Sequence, residues 1–171
     1  MLRVNIVVGL GEGKEKREDS MFFSTVDLKT IDYICENLSD SSTEELEIIY
    51  GEDYKQYLKA ELINCVMYED ITALCLDDNT PVAIFGLMNY DDDSKNLFFV
   101  STKAINEVSP LYLIKQSIKQ IKLWMFKYKK NLLDQVYRKN TQVIKWLKLL
   151  GFEKIDDIGE FFLMRKEYNV Q

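Results

Sequence analysis

The side chains of this sequence that could do chemistry are carboxylates, tyrosines, lysines and three cysteines, because the chain contains no histidine. Without imidazole it cannot form a Ser-His or Cys-His nucleophile pair, a histidine general base or a zinc site that needs histidine. Cys35, Cys65 and Cys75 are odd in number and have no CxxC spacing. We therefore predict three reduced, buried structural thiols of an intracellular protein.

Two short clusters resemble ligand sites but have the wrong spacing. Glycines occur at positions 9, 11 and 13, but a Rossmann fingerprint also needs glycine at position 14, where this chain has lysine. The spacing does not match the Walker loop either. The three acids at 91–93 lack the order of an EF-hand loop and its glutamate at the twelfth position. We predict a strand followed by a glycine-rich charged arm over residues 1–20, a solvated hairpin tip at 91–93, and no metal site.

The net charge of −6 conceals two halves of opposite sign. Residues 35–93 contain 15 acidic and two basic side chains, a net charge of −13, whereas residues 94–150 contain 12 basic and two acidic ones, a net charge of +10. Such asymmetry predicts oppositely charged surfaces that could bind other proteins or a second copy of the chain. Solvated helix faces of one domain remain the alternative, and the pI of about 4.8 argues against nucleic acid.

The elements that must position these groups follow from periodicity and capping residues. The pattern predicts, in order, a strand, two helices, three antiparallel strands, a long helix, a strand, a short helix and a hairpin. We expect the second helix to begin at Ser42, with Glu45 completing a capping box, and to bend or split at Gly51. No stretch approaches the ~20 apolar residues of a membrane span, so we expect a soluble, cytoplasmic protein without membrane contact.

The long helix is predicted to open at Ser109-Pro110 and to pack one apolar stripe on the sheet, its other side being basic. The stripe comprises Leu111, Ile114, Ile118, Ile121, Met125 and Tyr128. The two tryptophans, Trp124 and Trp146, also lie on apolar stripes and are predicted to be core residues.

The segment from 131 to 155 resembles the GNAT acyltransferase superfamily, whose strand-helix-strand unit ends in N-x-x-x-I-x-x-x-x-x-L-G-F. The matching residues are Asn140, Ile144, Leu150, Gly151 and Phe152. The resemblance implies an α+β fold, a mixed and mostly antiparallel sheet flanked by about four helices, in one domain over residues 21–171. NTQVIKWLKLLGF is particularly similar to GNAT-like proteins of short-tailed phages, among them an internal virion protein.

The family resemblance also implies a site for acetyl-CoA. The pantetheine arm would lie between the fourth and fifth strands against backbone groups of Phe99, Val100 and Ser101, with Asn140 contacting the cofactor. For Asn140 a plain helix N-cap is the alternative. Tyr137 is a candidate proton-transfer residue, and the acids at 91–93 are a second candidate for that role.

Two departures from the family pattern point away from catalysis. The loop that would hold the cofactor's pyrophosphate, STKAINEVSP, contains no glycine, and Leu147 stands where many family members have a catalytic tyrosine. We therefore predict a phage-encoded, non-catalytic virion or assembly component, found in the host cytoplasm and incorporated in the virion. An active acyl-CoA-dependent N-acetyltransferase acting on a small amine or a protein amine is the alternative.

Overall fold

The computed structural model describes residues 21–169, and the predicted N-terminal strand and arm lie outside this range. The described residues form seven strands and five α-helices. The strands are β1 (Met21–Ser24), β2 (Asp70–Leu76), β3 (Pro81–Asn89), β4 (Ser94–Ser101), β5 (Asn131–Tyr137), β6 (Glu153–Ile158) and β7 (Phe161–Lys166). The helices are α1 (Leu28–Glu36), α2 (Asp40–Tyr50), α3 (Tyr54–Tyr68), α4 (Pro110–Tyr128) and α5 (Thr141–Leu149).

The strands form one sheet in the order β1-β2-β3-β4-β5-β7-β6. All neighbours are antiparallel except β4 and β5, which run parallel and are joined by α4. A parallel pair needs such a crossover, because the chain must return to the starting edge of the sheet. The predicted α+β class, with its mixed and mostly antiparallel sheet, is confirmed.

The second predicted helix is divided at Gly51, where a short 3-10 turn over Gly51–Asp53 separates α2 from α3. The φ of +70° at Gly51 is a left-handed conformation that glycine adopts without steric cost, so the break falls where the sequence predicted it. The start of α2 was predicted wrongly. Ser39 is the N-cap and accepts a hydrogen bond from the backbone N–H of Ser42, so the helix begins three residues early.

Both faces of the sheet are covered by helices. Side chains alternate between faces along β4, so Phe99 and Ser101 point one way and Phe98 and Val100 point the other. The Phe99 ring lies 5.6 Å from that of Trp146 on α5, and Lys95, on the same face of β4, contacts Tyr128 of α4. Helices α4 and α5 therefore cover this face, as two successive right-handed crossovers require. Helices α1 to α3 pack on one another and are left to cover the opposite face, where Phe98 and Val100 are fully buried.

The long helix α4 packs most of the predicted stripe on the core, but its buried side also includes Leu113 and the polar Ser117. Ile121 and Met125 are buried as predicted, and the predicted residues that are partly buried against the core are Ile114, Ile118 and Tyr128. Leu111 is instead 70% exposed, because the helix is slightly rotated from the predicted phase. The Ser117 hydroxyl satisfies its burial by donating to the carbonyl of Leu113, one turn back. The predicted core positions of Trp124 and Trp146 are confirmed, since both are buried.

The C-terminal end of α4 is anchored to the start of β2. Asp70 accepts hydrogen bonds from Lys127 Nζ at 2.8 Å and from the Tyr128 hydroxyl at 2.7 Å. Burial works to raise the pKa of Asp70, but these two donors outweigh it and hold the pKa below its usual value. The buried Lys95 lies over the Tyr128 ring, with Nζ 4.2 Å from the centroid, and donates to Asn89.

The three cysteines are free and buried, as predicted. Burial raises the pKa of Cys35 to about 11 and that of Cys65 to about 12, because a thiolate would lose its hydration. Burial also raises the pKa of Cys75. Across residues 21–169, no helix combines the length and the apolar character that a bilayer crossing requires.

Candidate functional site

The candidate site is the opening between β4 and β5. These strands pair over three residues only, from Ser94 opposite Asn131 to Asn96 opposite Leu133, and then separate. The remaining five residues of β4 therefore have no partner strand on this side. Asn96 stands where the opening starts; it is buried, and its side-chain amide has no hydrogen-bond partner within residues 21–169.

The backbone of Ser101, at the wide end of the opening, is already hydrogen bonded. Its N–H donates to Ser42 Oγ at 3.2 Å, and its carbonyl accepts from the backbone N–H of Ser39 at 2.9 Å. Leu38 forms an antiparallel bridge with Thr102 beside it. The connection between α1 and α2 thus lies along the edge of β4 like a very short added strand.

The three backbone positions predicted to hold a cofactor differ in what they face. Thr102 N–H donates to the carbonyl of Val82 in β3, and alternate residues of an antiparallel pair share this direction, so the backbone of Val100 also faces β3. The backbone of Ser101 faces the opening and bonds to the α1–α2 connection. That of Phe99 faces the opening at a point beyond the last residue pair with β5.

Serine hydroxyls hold the α1–α2 connection on β4. Ser39 Oγ and Ser101 Oγ are 2.8 Å apart, and Ser42 Oγ lies 3.0 Å from Ser39 Oγ and 3.2 Å from Ser101 Oγ. All three residues are buried. Because each hydroxyl can both donate and accept, the cluster satisfies its own polar atoms away from water.

A cavity of about 200 Å³ lies between the start of α2 and the β5–α5 junction. It brings together Tyr137 and Asn140, two of the predicted site residues. Glu45, which also lines the cavity, is buried, whereas Glu44 and Lys139 beside it are exposed. The complete lining is Ser41, Glu44, Glu45, Tyr137, Lys139, Asn140, Thr141 and Gln142.

Asn140 acts as the N-cap of α5, since its side-chain oxygen accepts from the backbone N–H of Val143 at 3.2 Å. Capping and ligand contact are compatible, because the side-chain amide nitrogen is not used in the cap. Two turns into α5, Leu147 is fully buried and offers no group for proton transfer. Tyr137 is half-buried at the cavity rim, with its ring 5.9 Å from that of Phe161.

The loop between β4 and α4 is built from internal hydrogen bonds. It contains a 3-10 turn over Lys103–Glu107, capped by the side chain of Thr102, which accepts from Ala104 N–H. The N–H of Lys103 donates to the carbonyl of Asn37. Pro110, the first residue of α4, has no N–H, so the helix start offers one donor fewer. These residues do not fit a phosphate, which needs several free amides converging on one point.

The turn at 91–93 lies at the other end of β4, with Asp93 eight residues and thus about 26 Å from Ser101 at ~3.3 Å per residue. Its carboxylates are therefore far from the wide end of the opening, and their role as a proton acceptor stays a prediction. Within the described chain, no three acidic or cysteine side chains meet in a group that could hold a metal ion.

Sequence reasoning missed the serines of the α1–α2 connection and the buried Glu45. The run SDSST from Ser39 to Thr43 was a usable signal, because hydroxyls beside a helix start favour local and cross-strand hydrogen bonds. Glu45 was assigned to a capping box, but it lies inside the helix and lines the cavity instead.

No protein-family model and no curated protein matches this chain. Solved structures do match. A PaiA N-acetyltransferase from Thermoplasma acidophilum, in complex with coenzyme A, has a TM-score of 0.69 and 18% identity, covering 87% of this chain and 99% of that one. An acetyltransferase from Streptococcus agalactiae has a TM-score of 0.65 and 13% identity, covering 87% and 99%. A GNAT-family acetyltransferase from Bacillus anthracis has a TM-score of 0.57 and 13% identity, covering 88% and 94%.

These likenesses confirm that the chain has the GNAT acetyltransferase-like fold over nearly all of its described length. At identities this low, the likeness shows the fold and not the activity.

Proposed function

We propose that this chain is a phage-encoded GNAT-fold protein that has given up acyl transfer and acts as a virion or assembly component through protein contacts. One observation carries the proposal: the backbone N–H and carbonyl of Ser101 are both bonded to the α1–α2 connection. In this fold a pantetheine arm would hydrogen bond to that edge of β4. In this chain Ser39 and Ser42 already make those hydrogen bonds.

The loop and the helix beside the opening support the same proposal. The β4–α4 loop has no glycine, and its backbone N–H groups are used in hydrogen bonds within its own 3-10 turn. Few N–H donors are therefore free to bind a pyrophosphate. Leu147 is buried and cannot protonate a leaving thiolate. Three separate parts of the site thus lack what acyl transfer needs.

The phage origin and the virion role rest on the sequence pattern NTQVIKWLKLLGF, which is similar to the phage-encoded members of the superfamily. We expect the protein in the host cytoplasm and in assembled particles. Its absence from purified particles of the phage that encodes it would contradict the virion role.

An acyl-CoA-dependent N-acetyltransferase is the second candidate, and the cavity favours it. The opening between β4 and β5 is present, Tyr137 and Asn140 line one cavity beside the start of α2, and one structural neighbour is a complex with coenzyme A. Glu44 and Glu45 in the same lining would suit a cationic amine substrate. This candidate requires the α1–α2 connection to leave the edge of β4.

Calorimetric titration with acetyl-CoA separates the two candidates. For the non-catalytic protein we expect no binding heat at millimolar cofactor. Binding in the micromolar range that is lost in Asn140→Ala would support the enzyme instead. Because Asn140→Ala also removes a helix cap worth ~1 kcal/mol, Asn140→Ser is the matched control: it keeps a capping oxygen and removes the amide. Loss of binding in both variants would assign the contact to the amide rather than to the cap.

A further inference from the structure

The outward face of α4 combines lysines with exposed apolar side chains. The helix contains four lysines and no acidic residue. Residues three and four apart are neighbours on a helix, so one continuous stripe forms on the side away from the sheet. The stripe consists of Leu111, Lys115, Lys119, Lys122, Leu123 and Phe126, all exposed.

The apolar members of this stripe are unusually open to solvent. Phe126 is 78% exposed and Leu123 is 58% exposed, and the two are adjacent on the helix surface. Burying one such side chain completely would contribute about 1.5–3 kcal/mol. An apolar pair with lysines beside it is the composition expected for a contact with an acidic surface that carries its own apolar residues.

The opposite side of the molecule has that composition. On α2 and the turn after it, Glu47, Ile48 and Glu52 are exposed. Tyr57 of α3 is 52% exposed, and its ring stacks on that of Tyr50 at the end of α2, 5.4 Å between centroids. We call Glu47, Ile48, Glu52 and Tyr57 the acidic patch. It lies in the layer of α1 to α3, across the sheet from α4.

We propose that the α4 stripe of one copy docks on the acidic patch of a second copy. The two surfaces match in charge and each carries exposed apolar side chains, so the contact brings opposite charges together around a small apolar centre. A two-fold contact of stripe with stripe would instead oppose lysines with lysines. Because the docking surfaces lie on opposite sides of the sheet, the association is head-to-tail and can continue from copy to copy.

The charge of the whole chain favours a second copy over other anionic partners. At a net charge of −6 the molecule as a whole is repelled by nucleic acid and by anionic membranes, whereas the acidic patch is supplied by the chain itself. This inference goes beyond the proposed function and holds equally for a catalytic or a non-catalytic protein.

Sedimentation velocity of the full chain tests the proposal at about 20 mM and about 500 mM NaCl. Charges on two surfaces interact over a longer distance at the lower salt concentration and are screened at the higher one, since the Debye length is ~10 Å at about 100 mM. We expect assemblies that grow with protein concentration at low salt and monomers at high salt. Two charge-reversed variants sharpen the test: Lys119→Glu/Lys122→Glu on the stripe and Glu47→Lys/Glu52→Lys on the acidic patch. Circular dichroism confirms that each variant is folded.

Each variant alone should be monomeric at low salt, because its two docking surfaces then carry the same sign. Mixing the two variants should restore assemblies, since each stripe again meets a patch of opposite charge. Phe126→Ser, which keeps every charge, should weaken the wild-type assembly at least tenfold. A wild-type chain that stays monomeric at low salt overturns the proposal. So does a mixture that stays monomeric, or low-salt binding of the wild type to DNA or phosphatidylserine vesicles without self-association.

Discussion

Replacing Ser42 by alanine tests whether the α1–α2 connection is held on β4 by side-chain hydrogen bonds. Ser42 Oγ accepts the backbone N–H of Ser101 and lies within hydrogen-bond distance of the Ser39 and Ser101 hydroxyls. Both Ser42 and Ser101 are fully buried. After Ser42→Ala, the Ser101 N–H has lost its acceptor in a place that water does not reach.

A buried N–H left without a partner costs about 1–3 kcal/mol, and the better helix propensity of alanine returns roughly 0.5 kcal/mol. We therefore expect Ser42→Ala to lower the free energy of unfolding by about 1–2.5 kcal/mol. For a chain of this length each kcal/mol corresponds to about 2–4 °C, so Tm should fall by about 2–10 °C.

Urea denaturation followed by circular dichroism measures the change. Thr43→Ala is the matched control, because Thr43 is the next residue of α2 and its hydroxyl has no hydrogen-bond partner among the described residues. We expect Thr43→Ala to stay within about 0.5 kcal/mol of the wild type, because Thr43 is half-buried and the change removes no hydrogen bond of the cluster. Equal stability of the two variants would refute the reasoning, since the cluster would then contribute nothing to holding the connection.

Three further outcomes follow from the described packing. Gly86→Ala should destabilise the protein by about 1–3 kcal/mol, because the new Cβ would overlap the ring of Phe98. Urea denaturation should show a smaller loss when the same change is made in a Phe98→Ala background. Asp70→Asn should lower the free energy of unfolding by about 1 kcal/mol at neutral pH. Because the pKa of Asp70 in the folded protein lies below its unfolded value of ~3.9, the stabilisation by the carboxylate is lost as the pH falls through the folded pKa. Thermal melts of the variant and the wild type should therefore converge at low pH. The three thiols should resist a thiol reagent at pH 8 and react only in denaturant, because burial raises the pKa of each, that of Cys35 to about 11; rapid native labelling would contradict this.

Local sequence signals were sufficient for most of the fold. Polar turns separated the strands of the meander, proline marked the first residue of α4, and Gly51 marked the break between α2 and α3. Each of these depends on the conformational preference of one or two residues, which the sequence displays directly. The rotation of α4 was not predictable in this way, because Leu111 and Leu113 are equally apolar and only the sheet beneath decides which is buried.

The state of the site depended on contacts between residues far apart in the chain. Asn140 could be placed at the start of α5 from its own type, and the structure bears this out as an N-cap. The bond from Ser101 N–H to Ser42 joins residues 59 positions apart, and no local pattern encodes it. The predicted roles of Phe99, Val100 and Tyr137 stay predictions.

The short contact between β4 and β5 has a consequence for how the molecule opens. Among the strands of residues 21–169, only three residue pairs join β1–β4 to β5–β7. The sheet is therefore two smaller sheets with a seam between them, and α4 crosses that seam as the covalent link. Partial unfolding should begin at such a seam, where the fewest backbone hydrogen bonds must break, and the C-terminal strands with α5 would separate as one cooperative unit.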